Sequence, residues 1–162
     1  GDYVGIDLSE KLIEIARNYY PQAEFQTANA LSLPFPDDSF DKVYSISVLH
    51  NIPSQNFQLR YLGETARVLK PKGKLILMQP NYRYSYKTYF YDPTHKKVFS
   101  HTALESFLIS HDFEIIKKMP KFLPFSLQSR PSIIPLSSLL VRLYLYSPWK
   151  PFAGQMLFVA EK

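Results

Sequence analysis

The sequence predicts an α/β fold built on a largely parallel sheet, and three observations carry that expectation. "YVGI" is a short apolar strand that stops at an acid, Asp7, and runs directly into a helical pattern. Farther along, a strand, a long helix and the continuously apolar "KLILM" follow in order. A run without polar alternation belongs to a strand of a parallel sheet covered on both faces. The length of 162 residues, with 46% apolar and 15% aromatic content, suits one packed domain.

Each element has its own local signal. Ser9 is placed to cap the first helix, on which Leu12, Ile13, Ala16 and Tyr20 mark one face, and Pro21 ends it. "AEFQTA" is a second strand, and the turn "PDDS" separates it from "FDKVYSIS", a third with apolar Val43 and Ile46. Ser54 caps a long helix whose Leu62, Ala66 and Leu69 face inward, and Pro71 and Gly73 of "KPKG" close it before "KLILM". From 81 to 100 the periodicity collapses into a Tyr- and Lys-dense stretch, expected to be a long loop or lid. A helix then starts at Ser100, or at Thr102 with Glu105 as a capping box, and a strand comes after it. A Pro-rich span from 120 to 135 leads to "IIPLSSLLVRLYLY", where Leu136, Leu139, Leu140 and Leu143 stand at helical spacing. That helix is expected to pack on the domain, with a membrane-surface role as the alternative. "GQMLFVAEK" supplies a closing strand, and no repeat or interdomain linker interrupts residues 1–162.

Composition narrows the function. The net charge is +5, but acids and bases are interspersed, without the clustered charge of a nucleic-acid-binding surface. The absence of cysteine removes disulfides, thiol nucleophiles and cysteine-based zinc sites, and a reducing, cytoplasmic setting is expected. No apolar run approaches the roughly 20 residues that span a bilayer. His95, His101 and His111 lack metal-helix spacing, and no nucleophile elbow or P-loop occurs. No metal is expected.

One acid stands where chemistry is expected. In α/β nucleotide folds the carboxyl ends of the strands open onto the ligand crevice, and an acid there can accept ribose hydroxyls. Asp7 occupies such a point; a solvated loop acid near a helix start is the simpler reading. Two segments farther along the chain bear on the choice. "TANALSLPFPDDSFDKVYSISVLHNI" and then "LGETARVLKPKGKLIL" resemble, in order, segments of the class I methyltransferases that use S-adenosylmethionine.

That resemblance implies a Rossmann-like, three-layer fold and S-adenosylmethionine as cofactor. It gives Asp7 the ribose, sets Leu8 against adenine, and aligns Asn29 and Ala30 with the Asp-Ala step that reads the adenine edge. Here Asn replaces Asp, so the contact loses its charge. Ser45 falls near the methionine end. The family often carries a His at the position of Asn51, whereas here it stands at His50, and neither residue receives a catalytic role. "DPTHKKVFS" resembles the family's lid, which makes His95 the candidate general base or acceptor holder, because imidazole titrates near neutrality. Asp92 is a weaker candidate.

The same resemblance begins at the family's second strand. The family's first strand lies between its second and fourth and leads into a glycine-rich loop and the first helix. These are expected to come from a longer parent chain or a complementing segment, making 1–162 an amino-terminally incomplete domain with its lid and acceptor region at about 81–100 and 120–150. The expected activity is methyl transfer to a small-molecule or glycan- or lipid-linked acceptor. The tail, through "KFLPFSLQSR", resembles a subgroup associated with such glycans. Two other readings stay open, a non-catalytic relative serving as a binding module and a nicotinamide-dependent oxidoreductase.

Overall fold

The computed structural model describes residues 3–123, 138–147, 150 and 153–162. Strand β1 (Val4–Asp7) leads into helix α1 (Glu10–Tyr19), and β2 (Glu24–Thr27) returns parallel to β1 with Asp7 level with Thr27. The Ser9 hydroxyl accepts from the Leu12 N–H, Glu10 lies in the positive first turn, and Arg17 lies in the last. Arg17 also donates from Nε and Nη2 to the Phe25 carbonyl at 3.1 and 2.6 Å, tying the helix to β2. Ile13 is buried, as its spacing predicts, whereas Leu12 and Tyr20 are 53% and 58% exposed. Among the described residues α1 packs mainly on the short β1–β2 pair, too narrow a surface to cover all four positions of the expected face.

A second sheet carries most of the core. It comprises β3 (Phe40–Ile46), β4 (Leu69–Pro80), β5 (Glu114–Met119) and β6 (Gln155–Glu161), in the order β3-β4-β6-β5. β3 runs parallel to β4, and β6 is inserted antiparallel to both neighbours. Between the strands lie α2 (Gln55–Val68), the single turn α3 (Tyr82–Ser85), α4 (His101–Ile109) and α5 (Ser138–Tyr146). Leu75 and Leu77 of β4, with Met156, Phe158 and Ala160 of β6, form one cluster with Leu62 of α2 and Leu104 and Leu108 of α4. Each large side chain buried there contributes about 1.5 to 3 kcal/mol. On the opposite face Tyr44, Ile46 and Ile116 are exposed. The predicted two-sided covering is therefore seen on one face among the described residues.

Local chemistry refines several boundaries. β4 begins at Leu69, immediately after α2, and "KPKG" forms a bulge inside the strand rather than a closure before it. Lys72 takes a φ of 63°, and a Cβ on Gly73 would stand 2.7 Å from the Lys70 carbonyl oxygen, so this bend requires glycine there. Ser54 caps α2, and Ser100, not Thr102, caps α4. Glu105 instead pairs with Lys118 at 2.6 Å. The 81–100 stretch is more regular than its sequence suggests, containing α3 and a 3-10 turn at Tyr89–Tyr91 anchored by fully buried Tyr89. α5 exists, but Leu143 is 60% exposed, so its expected packing on the domain is not made at that position. Leu136 and most of the Pro-rich span lie outside the described residues, as do the side chains of Leu139 and Leu140.

The segment 28–39 has no long helix and is fastened to α2 by one arginine. Arg67 donates to the carbonyls of Leu33 and Phe35 at 3.0 and 2.8 Å and pairs with Asp37 and Glu64, whose second oxygen accepts the Leu33 N–H at 2.7 Å. A planar fork of five donors suits this clamp in a way that a lysine would not. Among the described residues the two sheets share no strand pairing: β1 pairs only with β2, and β3 only with β4. This is the break at which the family resemblance places another strand.

Candidate functional site

The carboxyl ends of the strands gather the candidate residues. Asp7 ends β1 with Oδ1 accepting the Ser9 N–H at 2.8 Å, which orients the carboxylate across the start of α1. Its backbone carbonyl accepts the Ala28 N–H at 3.0 Å, bringing the chain after β2 alongside it. Leu8 next to it is 71% exposed, an apolar surface facing solvent at the rim. Asn29 lies two residues beyond Thr27, the residue level with Asp7. Its Oδ1 accepts the Leu31 N–H at 2.9 Å, holding a turn closed by a bond from Ser32 N–H to the Asn29 carbonyl. An amide oxygen has a second lone pair, and its NH2 can donate, so Asn29 can accept and donate where Asp could only accept. Ala30 is partly buried against the main core and anchors this turn.

These groups offer hydrogen-bond acceptors, a donor and an apolar surface side by side. An exposed carboxylate, pre-oriented by one backbone bond, an open apolar side chain and an amide stand on one rim.

Ser45 has a different setting. It is buried, and its Oγ accepts from the Tyr61 hydroxyl of α2, while Thr65 donates to the Tyr61 carbonyl at 2.8 Å. Its side chain therefore locks β3 to α2, leaving backbone as what β3 offers at the rim. Burial pushes the Tyr61 hydroxyl pKa up, keeping it a neutral donor. Tyr61→Phe is expected to lower stability by about 1 to 2 kcal/mol, or about 2 to 8 °C in melting temperature. An unchanged melt would show that this bond does not hold β3 in place.

Past Ser45 the backbone turns sharply. Ser47 adopts a φ of 57°, its N–H donates to the Met78 carbonyl at 2.8 Å, and the 3-10 turn Leu49–Asn51 folds over the strand end. This turn carries His50 into the interior, 1% exposed. The His50 carbonyl accepts from both Lys96 and Lys97 N–H groups at 3.0 Å, strapping the lid to the end of β3.

His95 lies beneath that strap. Its ring meets His50 edge to face at 4.5 Å, and its Nδ1 stands 2.6 Å from the Tyr89 carbonyl. A carbonyl can only accept, so Nδ1 carries the proton and Nε2 is the basic nitrogen of the neutral ring. Nε2 is 3.7 Å from Asp92 Oδ2. Thr94 donates to Asp92 from its hydroxyl and its backbone, and these bonds hold the Asp92 carboxyl below its ordinary pKa. Burial pushes His50 down to about 4; the neighbouring His95 adds to the effect and Asp92 opposes it. His50 is therefore neutral near pH 7, beside an imidazole whose basic nitrogen faces a carboxylate.

The sequence points to His95 and Asp92 but gives no role to His50 and misses Ser47 and Tyr89. The run "SVLHNI" holds the first two, but a left-handed serine has no compositional mark. Tyr89 is one of many tyrosines in its stretch, with nothing in sequence to single it out.

Residues 1–77 match the model of a methyltransferase domain. A demethylmenaquinone methyltransferase from Lysinibacillus sphaericus is 32% identical over 133 residues, covering 74% of this chain and 56% of that protein. A probable tRNA methyltransferase 9B from Homo sapiens is 40% identical over 74 residues, 46% of this chain and 16% of that one. The chain thus spans little more than half of the first of these relatives and a smaller share of the second. Among solved structures, an S-adenosylmethionine-dependent methyltransferase from Methanosarcina mazei superimposes with a TM-score of 0.70 at 23% identity, over 98% of this chain and 81% of that one. By sequence residues 1–77 match a methyltransferase domain, and over nearly its whole length the chain has the fold of an S-adenosylmethionine-dependent methyltransferase.

Proposed function

We propose that this protein transfers a methyl group from S-adenosylmethionine to a hydroxyl of a small-molecule or glycan- or lipid-linked acceptor. The observation that carries the reading is the position of both groups at carboxyl strand ends: Asp7, Leu8 and Asn29 at the ends of β1 and β2, and the His95 cluster under the lid beyond the end of β3. Asp7 accepts the ribose hydroxyls, Leu8 lies against adenine, and Asn29 with Ala30 reads the adenine edge. Ser45 acts through Tyr61, fixing the strand end that faces the methionine portion. When bound, the cofactor supplies an electrophilic methyl on a sulfonium, so the protein has little covalent chemistry to perform. Alignment of the acceptor is its main task. His95 Nε2 takes the acceptor's proton, and Asp92 stabilises the resulting imidazolium.

The strand and glycine-rich loop expected in the family would pair with β1 and β3, and we propose that a segment outside residues 1–162 supplies them. The cytoplasm is the proposed compartment, supported by the cysteine-free composition. No helix among the described residues is long and apolar enough to cross a membrane. A turnover assay with radiolabelled S-adenosylmethionine on the full-length protein, against lipid-linked sugars and hydroxylated small molecules, tests the activity. Cofactor binding without turnover on any acceptor class would favour a non-catalytic module instead.

A further inference from the structure

Two buried polar groups next to this cluster lack partners. Along β4, Gly73, Leu75, Leu77 and Gln79 are buried while Lys74, Ile76 and Met78 between them are less so, which puts Gln79 on the face beneath α2 and α4. Leu77 is level with Ser45, which touches Tyr61 of α2. Gln79 lies two residues beyond Leu77, roughly 6 to 7 Å nearer the rim. One turn before Tyr61 on α2 is buried Gln58, whose Nε2 donates to the Ile52 carbonyl at 2.9 Å. The turn carrying His50 packs against β4 at this level.

Gln79 is wholly buried, yet neither its Oε1 nor its Nε2 has a hydrogen-bond partner among the described residues. The same is true of His50 Nδ1. A buried polar group left unmet forfeits the hydrogen bonds that it makes with water in the unfolded chain. Both unmet groups lie at the carboxyl ends of their strands, His50 just past β3 and Gln79 near the end of β4.

We infer that Gln79 and His50 Nδ1 form the recognition surface for an uncharged, hydroxyl-bearing part of the acceptor, beside the hydroxyl that His95 deprotonates. This rests on the methyl-transfer reading and names the acceptor's chemistry. A primary amide both donates and accepts, and an imidazole nitrogen does one or the other, which suits adjacent hydroxyls such as a vicinal diol or a catechol. No lysine or arginine is among the buried polar residues described, so a phosphate or carboxylate would enter without a buried cation. His50 itself is held neutral by burial. The bonds from Lys96 and Lys97 to the His50 carbonyl are those that part when the strap lifts to admit the acceptor.

The test is nuclear magnetic resonance on the full-length protein, following the Gln79 side-chain NH2 and the His50 ring. The probes are catechol and methyl α-D-glucopyranoside, set against benzoate and inorganic phosphate. Saturable shifts at both residues with a neutral probe, and none with the anions, are expected. Shifts caused by an anion, or none by either neutral probe, would overturn the inference. Gln79→Met, close in shape and without the amide, separates recognition from support. It is expected to raise the melting temperature by about 2 to 4 °C and to abolish the probe shifts. A drop of that size would mean that the amide is satisfied structurally and would overturn the inference. Probe shifts in a wild-type protein that binds no S-adenosylmethionine would remove the methyl-transfer reading and leave the recognition groups standing.

Discussion

Replacing His95 by Gln in the full-length protein is expected to slow methyl transfer by about 100- to 10,000-fold, with affinity for S-adenosylmethionine within twofold of wild type. The expectation rests on the tautomer. With Nδ1 donating to the Tyr89 carbonyl, only Nε2 can take a proton, and it lies 3.7 Å from the Asp92 carboxylate. Glutamine can keep a bond to Tyr89 but offers no nitrogen of comparable basicity. Single-turnover rates measured with saturating cofactor isolate the chemical step from binding. A rate within threefold of wild type would reduce His95 to a structural member of the lid.

Asp7→Ala acts on the other half of the site. The carboxylate at the end of β1 is oriented by the Ser9 N–H and exposed, so its free lone pairs face the rim. The proposed charge-assisted bonds to two ribose hydroxyls would each be worth about 1.5 to 3 kcal/mol. Losing one or two, partly replaced by water, is expected to weaken cofactor binding by about 10- to 100-fold. The effect should appear in Kd by calorimetry and leave the single-turnover rate at saturation nearly intact. Asp7→Asn, which keeps acceptor geometry without charge, should fall between wild type and Ala. Unchanged affinity in Asp7→Ala would return Asp7 to the role of a capping acid for α1.

Much of this was legible in the residues because local chemistry and tertiary packing agree. Ser9, Ser54 and Ser100 cap their helices as their positions predict, and "KLILM" lies in a strand whose Leu75 and Leu77 are buried. Disagreement arose where a neighbour decides. Leu12 and Tyr20 have helical spacing, but spacing cannot say how wide the covered surface is. Ser45 belongs to a recognisable segment, yet its alternation in β3 turns it toward Tyr61 and away from the rim. Gln79 comes after an apolar run and reads as its polar end; only three-dimensional burial reveals an amide with nothing to bond. The break between β1 and β3 was the reverse case. The two sheets share no pairing among the described residues, and the resemblance places a strand between those two.

The most direct test of the account is calorimetric titration of S-adenosylmethionine, with NAD in parallel, into the full-length protein. One-to-one binding of S-adenosylmethionine, weakened about 10- to 100-fold in Asp7→Ala and absent for NAD, is the predicted result. Binding of NAD in its place, or affinity for S-adenosylmethionine that ignores Asp7, would contradict it.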